Sequence, residues 1–356
     1  MGLSTGLSYM PGLQAGTEEV SELAGIAGRW GGIYATHLRS HDRGLEEAIR
    51  EAVTIGRANR MPVEISHIKL MDEDVWGDLD RITRPLEEAR RLGVEVTLDL
   101  YPYTAAFMGL TNSFPEWSRE GGPARFAARL NDPELLERIK SSVIETRFPP
   151  GRGTQALRSI LISECPRFPR YEGLTVEDIL GLKGRRSTPG AAAELLIDLE
   201  RNGGATALFF QMTEEDVEAL IRMPKVMIAS DAGLVAPGTA HPHPRSFGAF
   251  PRVIGRYVRD KRLLTLEEAV RKMTSLPADV LGLRERGRLR QGLWADIVIF
   301  DPVVFEDAAT YDHPRRIGPG LSYVLVNGEI VVEAGRATGK KPGRILYGPA
   351  QQGGRA

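Results

Sequence analysis

The stretches GGIYATHLRS (31–40) and PVEISHIK (62–69) decide the fold of this chain, because they repeat one local pattern. Each starts with the alternating apolar residues of a β-strand and then has a hydroxyl residue, a histidine, an aliphatic residue and a basic residue. Helix-like spacing of apolar residues separates them, and a third strand-like stretch, EVTLDLYPY (95–103), follows a second helix-like one. Strand, helix, strand, helix, strand with short connections predicts parallel βαβ units and an α/β fold.

The composition of the sequence changes after residue 106. The next hundred residues or so are rich in Pro, Gly, Arg and short amphipathic helices, which predicts an inserted subdomain. Strand-like segments return at ATALFF (205–210) and KVMIASD (225–231), and the residues from 284 on alternate like an all-β segment with an Asn-Gly hairpin turn. The sequence therefore divides into four predicted parts, namely 1–106, 107–205, 206–283 and 284–356.

Composition excludes several classes of protein. The chain has 356 residues with 46 Lys and Arg against 47 Asp and Glu, and this balance argues against a nucleic-acid partner or an anionic membrane surface. Its single cysteine, Cys165, excludes an internal disulfide framework. No apolar run reaches the roughly 18 residues of a membrane span, and the first residues do not resemble a secretory signal. We therefore expect a cytoplasmic α/β protein, and the sequence does not predict its oligomeric state.

Three side chains suggest a hydrolytic metal site. His37 and His67 occupy equivalent places in the two repeated stretches, 30 residues apart, and Asp231 ends the strand-like KVMIASD. The carboxyl-terminal ends of parallel strands converge on one site, and Zn²⁺ binds imidazole nitrogen and carboxylate oxygen. A bound metal would lower the pKa of a water molecule, and a neighbouring carboxylate would accept its proton. Either histidine alone is more often structural, and Asp231 could simply belong to a turn.

Basic residues near these strand ends suggest a subsite for a substrate carboxylate. Lys69 lies two residues after His67 and so shares its face of the strand, and Arg245 lies in the loop that follows Asp231. A guanidinium group binds a carboxylate through two parallel hydrogen bonds. Tyr101, at the end of the third strand, could add a phenolic hydrogen bond. The alternative is that Lys69 and Arg245 are solvated loop charges.

The other histidines and the cysteine are interpreted as structural or solvent-facing. We expect His41 and His313 at the surface and His241 and His243 as loop structure around Arg245. We expect Cys165 to be buried and inert.

Seven motifs, found in order along nearly the whole chain, resemble the N-acyl-D-amino-acid deacylase (D-aminoacylase) branch of the amidohydrolase superfamily. The resemblance implies part of a metal-dependent-hydrolase (β/α)8 TIM barrel, with barrel strands numbered about four to seven in 1–106 and barrel strand eight in 206–283. It also implies an inserted subdomain in 107–205 and a small C-terminal β-sandwich portion in 284–356. The motifs are GLSTGLSYMPG (2–12), YATHLRS (34–40), VEISHIK (63–69), LDLYPYTA (98–105), ASDAG (229–233), HPHPRSFGAFPRVIGRYVRD (241–260) and GRLRQGLWADIVIFDP (287–302).

The same resemblance implies an activity and a role for each candidate residue. The reaction is hydrolysis of the amide bond of an N-acyl-D-amino acid to a carboxylate and a D-amino acid, by water that one or two Zn²⁺ ions activate. His37 and His67 correspond to metal ligands, and Asp231 to the general base. The substrate-binding residues are Lys69, Tyr101 and Arg245.

The sequence also departs from the family pattern. It has neither the family's HxH pair nor its early cysteine ligand, and the first matched motif belongs near the fourth barrel strand, so the chain resembles an N-terminally truncated member. His41 stands where the family usually has an acidic residue. From these departures we expect an incomplete metal site with less than one tightly bound zinc per chain. Two alternatives stay open: a catalytically incomplete fragment or pseudoenzyme, and a cyclic-amide or ureido hydrolase of the same superfamily.

Overall fold

A computed structural model describes residues 1–149, 151–236, 238 and 240–348 of the chain. The described strands form three separate sheets. Their bounds are β1 (Gly2–Gly6), β2 (Ile33–His37), β3 (Val63–Ile65), β4 (Val96–Leu100), β5 (Ala105–Gly109), β6 (Ile160–Glu164), β7 (Thr206–Phe210), β8 (Val226–Ile228), β9 (Ile297–Phe300), β10 (Leu321–Val326), β11 (Glu329–Glu333) and β12 (Arg336–Ala337).

Helices connect and cover these strands. A π-helix, Val253–Asp260, continues directly from the eleventh α-helix. The α-helices are α1 (Thr17–Gly28), α2 (Leu45–Asn59), α3 (Asp80–Arg91), α4 (Glu116–Arg119), α5 (Pro123–Asn131), α6 (Pro133–Arg147), α7 (Gln155–Arg158), α8 (Val176–Leu182), α9 (Pro189–Arg201), α10 (Glu214–Arg222), α11 (Arg245–Arg252), α12 (Leu266–Met273) and α13 (Ser275–Val280).

The first sheet is parallel and contains the repeated stretches. Its strands lie in the order β1-β2-β3-β4-β8, and helices α1, α2 and α3 connect the first four. The apolar stripe of α2 packs against the sheet, with Ile49 buried beside Tyr34, Ile65 and Leu98 in one core. The predicted parallel βαβ units and the α/β fold class are therefore confirmed.

The second sheet is antiparallel and has its own core. Its order is β5-β7-β6, and Phe126, Ile139, Leu196 and Phe209 are among the residues buried around it. The strand Thr206–Phe210 lies in the stretch 206–283, which the resemblance assigns to the end of the barrel, yet it pairs antiparallel with both β5 and β6. A short apolar run does not reveal which sheet it joins. The division of the chain at residues 106, 205 and 283 stays a prediction.

The third sheet is antiparallel, in the order β12-β11-β10-β9. Asn327 and Gly328 connect β10 to β11 with φ angles of 51° and 84°. Positive φ at both central residues is the requirement of a tight hairpin turn, and it explains the Asn-Gly pair. The predicted hairpin is confirmed.

Two local details of the helices concern their ends and continuity. Gly44 occupies the N-cap position of α2, and Asp42 accepts a hydrogen bond from the Gly44 backbone N–H. Helix α3 continues through Pro85 as one element. An interior proline removes one backbone hydrogen bond, and here the Pro85 ring is buried. Within the part of the chain that the structure describes, no helix has the length and apolar character needed to cross a membrane.

Candidate metal centre

The two predicted histidine ligands lie side by side at one edge of the parallel sheet. His37 is the last residue of β2, and His67 follows the end of β3 by two residues. Because Thr36 is in register with Ile65, the two strands end at the same level. His37 Nδ1 lies 2.9 Å from His67 Nε2. The sequence repeat therefore corresponds to a direct contact between two imidazoles.

The backbone turns sharply at His67. Its φ is 39°, which is uncommon for a residue other than glycine, and its N–H donates to Asp99 Oδ1 over 2.7 Å. Asp99 is paired with Glu64 in the neighbouring strand, and burial together with the Asp99 charge raises the pKa of Glu64 to about 9. Glu64 is therefore protonated at neutral pH. The hydrogen bond from the His67 N–H to Asp99 anchors the turn.

A third imidazole, that of His41, completes a cluster. His41 had been expected at the surface, and that expectation was wrong: its exposed fraction is 3%. Its ring centroid lies 4.9 Å from that of His37 and 5.7 Å from that of His67. One ligand atom from each of the three histidines lies within 4.8 Å of the others. The loop after β2 turns inward here, where the Met71 N–H donates to the His41 carbonyl oxygen over 2.8 Å.

All three imidazoles are neutral at pH 7. Burial, followed by the charge of Lys69, lowers the pKa of His37 to about 3. The same two causes, in the same order, lower the pKa values of His41 and His67 well below the usual range. A metal ion requires an unprotonated ring nitrogen, and burial thus keeps a lone pair available on each of these rings.

A chain of hydrogen bonds runs through the cluster. Lys69 Nζ lies 3.0 Å from His67 Nδ1, and Ser8 Oγ lies 2.7 Å from His37 Nε2. Burial lowers the pKa of Lys69 to about 7. While Lys69 is protonated it donates to His67 Nδ1, so His67 carries its proton on Nε2 and donates to His37 Nδ1. His37 then donates from Nε2 to Ser8.

The predicted base and the predicted guanidinium group form an ion pair. Arg245 Nη1 lies 2.8 Å from Asp231 Oδ2, and the Arg245 side chain is 6% exposed whereas that of Asp231 is 40% exposed. The guanidinium group also stacks over the Tyr101 ring, 4.5 Å from its centroid. Burial raises the pKa of Tyr101, which therefore stays a phenol. Asp231 itself adopts a φ of 48°.

His243 positions the start of helix α11, where Arg245 lies. Its Nδ1 accepts a hydrogen bond from the Arg245 backbone N–H over 3.0 Å, and its Nε2 lies 2.9 Å from the carbonyl oxygen of Ala105. Nε2 therefore donates to that carbonyl group. Burial and the charge of Arg245 lower the pKa of His243 to about 3.

The six predicted site residues line one cavity of about 220 Å³. Their functional roles stay predictions. Sequence reasoning missed three neighbours: His41, Ser8 and the anchoring Asp99. For His41 a weak signal was present, since it follows His37 by four residues at a point where the strand period has ended. The six are His37, His67, Lys69, Tyr101, Asp231 and Arg245.

Comparisons with known proteins identify relatives. A sequence model of the amidohydrolase family matches residues 187–332. A D-aminoacylase from Alcaligenes xylosoxydans xylosoxydans is 35% identical over 346 residues, which are 97% of this chain and 61% of that protein. An N-acyl-D-glutamate deacylase from the same organism is also 35% identical, covering 97% of this chain and 60% of that protein.

Solved structures agree with these matches. The crystal structure of N-acyl-D-glutamate deacylase from Bordetella bronchiseptica, complexed with zinc and a phosphonate mimic of the tetrahedral intermediate, has a TM-score of 0.73 at 35% identity and covers 92% of this chain and 59% of that one. A D-aminoacylase crystal structure has a TM-score of 0.75 at 33% identity, covering 95% and 61% respectively. The chain thus spans about 60% of the length of the curated relatives that it matches.

The buried, neutral His243 leads to a prediction about stability. Its pKa is about 3 in the folded protein against 6.5 ordinarily, so below pH 6.5 the unfolded chain takes up a proton that the folded chain refuses. The contribution of neutral His243 to stability is therefore fully present above pH 6.5 and is lost as the pH falls. Because of this residue, the free energy of unfolding should decrease by about 2 kcal/mol between pH 7 and pH 5.

The measurement is urea unfolding at both pH values. In His243→Gln the decrease in the free energy of unfolding between pH 7 and pH 5 should be smaller than in the unaltered protein by about 2 kcal/mol. His243→Asn should behave alike, since the effect depends on the lost imidazole. An unchanged pH dependence in both variants would show that His243 is not held neutral.

Proposed function

Because this chain belongs to the N-acyl-D-amino-acid deacylase (D-aminoacylase) family of amidohydrolases, we propose that it hydrolyses N-acyl-D-amino acids to a carboxylate and a D-amino acid with the help of zinc. The observation that carries the proposal is the single cavity in which neutral imidazoles meet a carboxylate and a cluster of cations. A close relative holds zinc together with a mimic of the tetrahedral intermediate. These groups match the needs of metal-assisted amide hydrolysis.

His37 and His67 fit a zinc ion by their chemistry. Both rings are neutral, so both have a nitrogen lone pair available, and their facing nitrogens are 2.9 Å apart. When bound, the metal polarises the amide carbonyl and lowers the pKa of the attacking water. Ser8 on the far nitrogen of His37 holds that ring in its orientation, as the outer partners of metal-binding histidines generally do.

Asp231 acts on the proton of the attacking water. Its side chain is 40% exposed on the cavity wall, so a water molecule can reach it. The ion pair with Arg245 keeps the carboxylate oriented, and its second oxygen is available to accept the proton. Asp231 then passes the proton to the leaving amine, which is the general base and general acid role of one group.

Arg245, Lys69 and Tyr101 hold the substrate carboxylate. A guanidinium group has five N–H donors, and the ion pair with Asp231 uses one side of it. Lys69 Nζ lies 5.7 Å from the centroid of the Tyr101 ring, and Arg245 stacks on the same ring. Two cations around one aromatic ring form a compact carboxylate subsite, which also sets the direction in which the acyl group points.

Two finer expectations belong to the proposal. We propose that the five parallel strands are strands four to eight of a (β/α)8 barrel. We also propose a cytoplasmic location, since the single Cys165 is buried and free.

The test is turnover by the purified chain with added zinc. N-acyl-D-amino acids with acidic, apolar and small side chains should release free D-amino acid, and the matching L-enantiomers and cyclic amides should not. If no D-substrate is hydrolysed by zinc-loaded protein, the proposal fails for this chain and the catalytically incomplete alternative stands.

Replacing the proposed base should reduce turnover but leave metal content intact. We expect Asp231→Asn to lower kcat by roughly 100-fold or more, because an amide cannot accept the proton of water. Asp279→Asn, at an exposed carboxylate paired with Arg288, is the matched control. Steady-state kinetics and metal analysis of both variants decide the matter. Equal kcat in Asp231→Asn and the control would remove Asp231 from the reaction.

Replacing the proposed carboxylate-binding residue should act mainly on binding. We expect Arg245→Lys to raise KM by roughly 10- to 100-fold, because lysine keeps the charge and loses the planar fork. The change in kcat should be smaller. Arg288→Lys serves as the control at an exposed ion pair. An unaltered KM with a collapsed kcat would instead mean that Arg245 acts on Asp231 and not on the substrate.

A further inference from the structure

We propose that His41 is a third metal ligand, so that His37, His41 and His67 form a three-histidine metal site within this chain. The inference deepens the proposed function and rests on it for the identity of the metal as zinc. It replaces the expectation of an incomplete site, which counted only two histidine ligands and treated His41 as a surface residue.

The first argument is distance. A tetrahedral zinc ion with Zn–N bonds of about 2.0–2.1 Å places its ligand nitrogens roughly 3.3–3.4 Å apart. The facing nitrogens of His37 and His67 are 2.9 Å apart, and one ligand atom of each of the three rings lies within 4.8 Å of the others. Side-chain adjustments of about an ångström therefore suffice to place all three nitrogens around one ion.

The second argument is burial without partners. Both ring nitrogens of His41 are buried, and neither has a hydrogen-bond partner among the residues that the structure describes. Leaving a buried polar group unpaired costs about 1–3 kcal/mol, so such an arrangement calls for a reason. By contrast, the buried His243 has a partner for each ring nitrogen. A structural role explains His243, and a ligand role explains His41.

The third argument is the pattern of neighbours around the other two rings. His37 faces Ser8 with Nε2 and His67 faces Lys69 with Nδ1, so their inner nitrogens, Nδ1 and Nε2, point at each other. These inner nitrogens are the ones left for a metal when the ring proton of His67 lies on Nδ1 and is donated to the neutral amine of Lys69. Three protein nitrogens leave one tetrahedral position open, which is the arrangement of a catalytic zinc site and not of a closed structural one. The same cavity supplies the room for water or substrate there.

The test measures metal binding without turnover. Metal-free chain is titrated with Co²⁺ at pH 7.5, and its visible absorption is strong when four ligands surround the ion and weak when six do. We expect one Co²⁺ per chain with strong absorption, and zinc displacing it one for one. His41→Gln, which fills the same space without a ligand nitrogen, should weaken binding by about 100-fold or more, since even loss of an outer partner costs 10- to 100-fold.

Two further variants sharpen the result. His41→Asp restores a ligand atom, and we expect it to recover metal binding to within about tenfold of the unaltered chain. His313→Gln removes an exposed histidine outside the cluster and should leave metal affinity unchanged. Equal affinity and absorption in His41→Gln and the unaltered chain would overturn the proposal, as would less than one metal per unaltered chain.

A measurement on the unaltered protein guards against variants that do not fold. X-ray absorption of the zinc-loaded chain counts imidazole ligands directly: three support the proposal and two overturn it. Failure of the proposed function gives a different result, because a chain that binds one zinc through three imidazoles and hydrolyses no N-acyl-D-amino acid contradicts the deacylase activity alone.

Discussion

The hydrogen-bonding register between the parallel strands β2 and β3 is the constraint on which the site depends. Pairing of Thr36 with Ile65 ends both strands at the same level, so His37, the last residue of β2, and His67, just after β3, lie side by side. A shift of one residue would turn one ring to the other face of the sheet, because side chains alternate along a strand. Packing of α2 on the sheet and the anchoring of His67 by Asp99 both hold this register in place.

Burial then determines the chemistry of the rings. The cluster lies next to Lys69 and close to Arg245, and a proton on any imidazole would add a third charge to two that are already poorly solvated. The protein keeps the imidazoles neutral and leaves their lone pairs available. The close burial of the three imidazoles thus explains both their low pKa values and their capacity to bind a cation, because such rings can be buried close together only while they are uncharged.

Sequence reasoning predicted the parts of the structure that follow from period and spacing. The parallel strands, their helices and the Asn-Gly hairpin are local patterns, and the repeated histidines lie one βα unit apart. It failed where the outcome depends on how a loop folds back. His41 lies in a turn with no periodicity, so its spacing of four residues from His37 was only a weak signal that it points inward. Thr206–Phe210 is apolar in any sheet, and only its partners, β5 and β6, reveal where it belongs.

The ion pair between Arg245 and Asp231 is a further contact that could not be predicted from the sequence. The two residues are 14 positions apart in the sequence, and this spacing says nothing about whether the guanidinium group faces the carboxylate or the solvent. Likewise, the stacking of Arg245 on Tyr101 joins residues that are far apart in the sequence. Contacts of this kind arise from the packing of β4 against β8, which no single stretch encodes.

The double hydrogen bond of His243 has a consequence for how this protein can change over evolution. One ring nitrogen holds the start of the helix that carries Arg245, and the other holds Ala105, the first residue of the antiparallel sheet. Length changes in that sheet would therefore act on the Arg245 side of the cavity, whereas the three imidazoles lie at the ends of β2 and β3 or in the loop after β2, which precede that sheet in the chain. Under the proposed roles, changes in the insert would alter the binding of the substrate carboxylate and leave the proposed metal ligands unchanged.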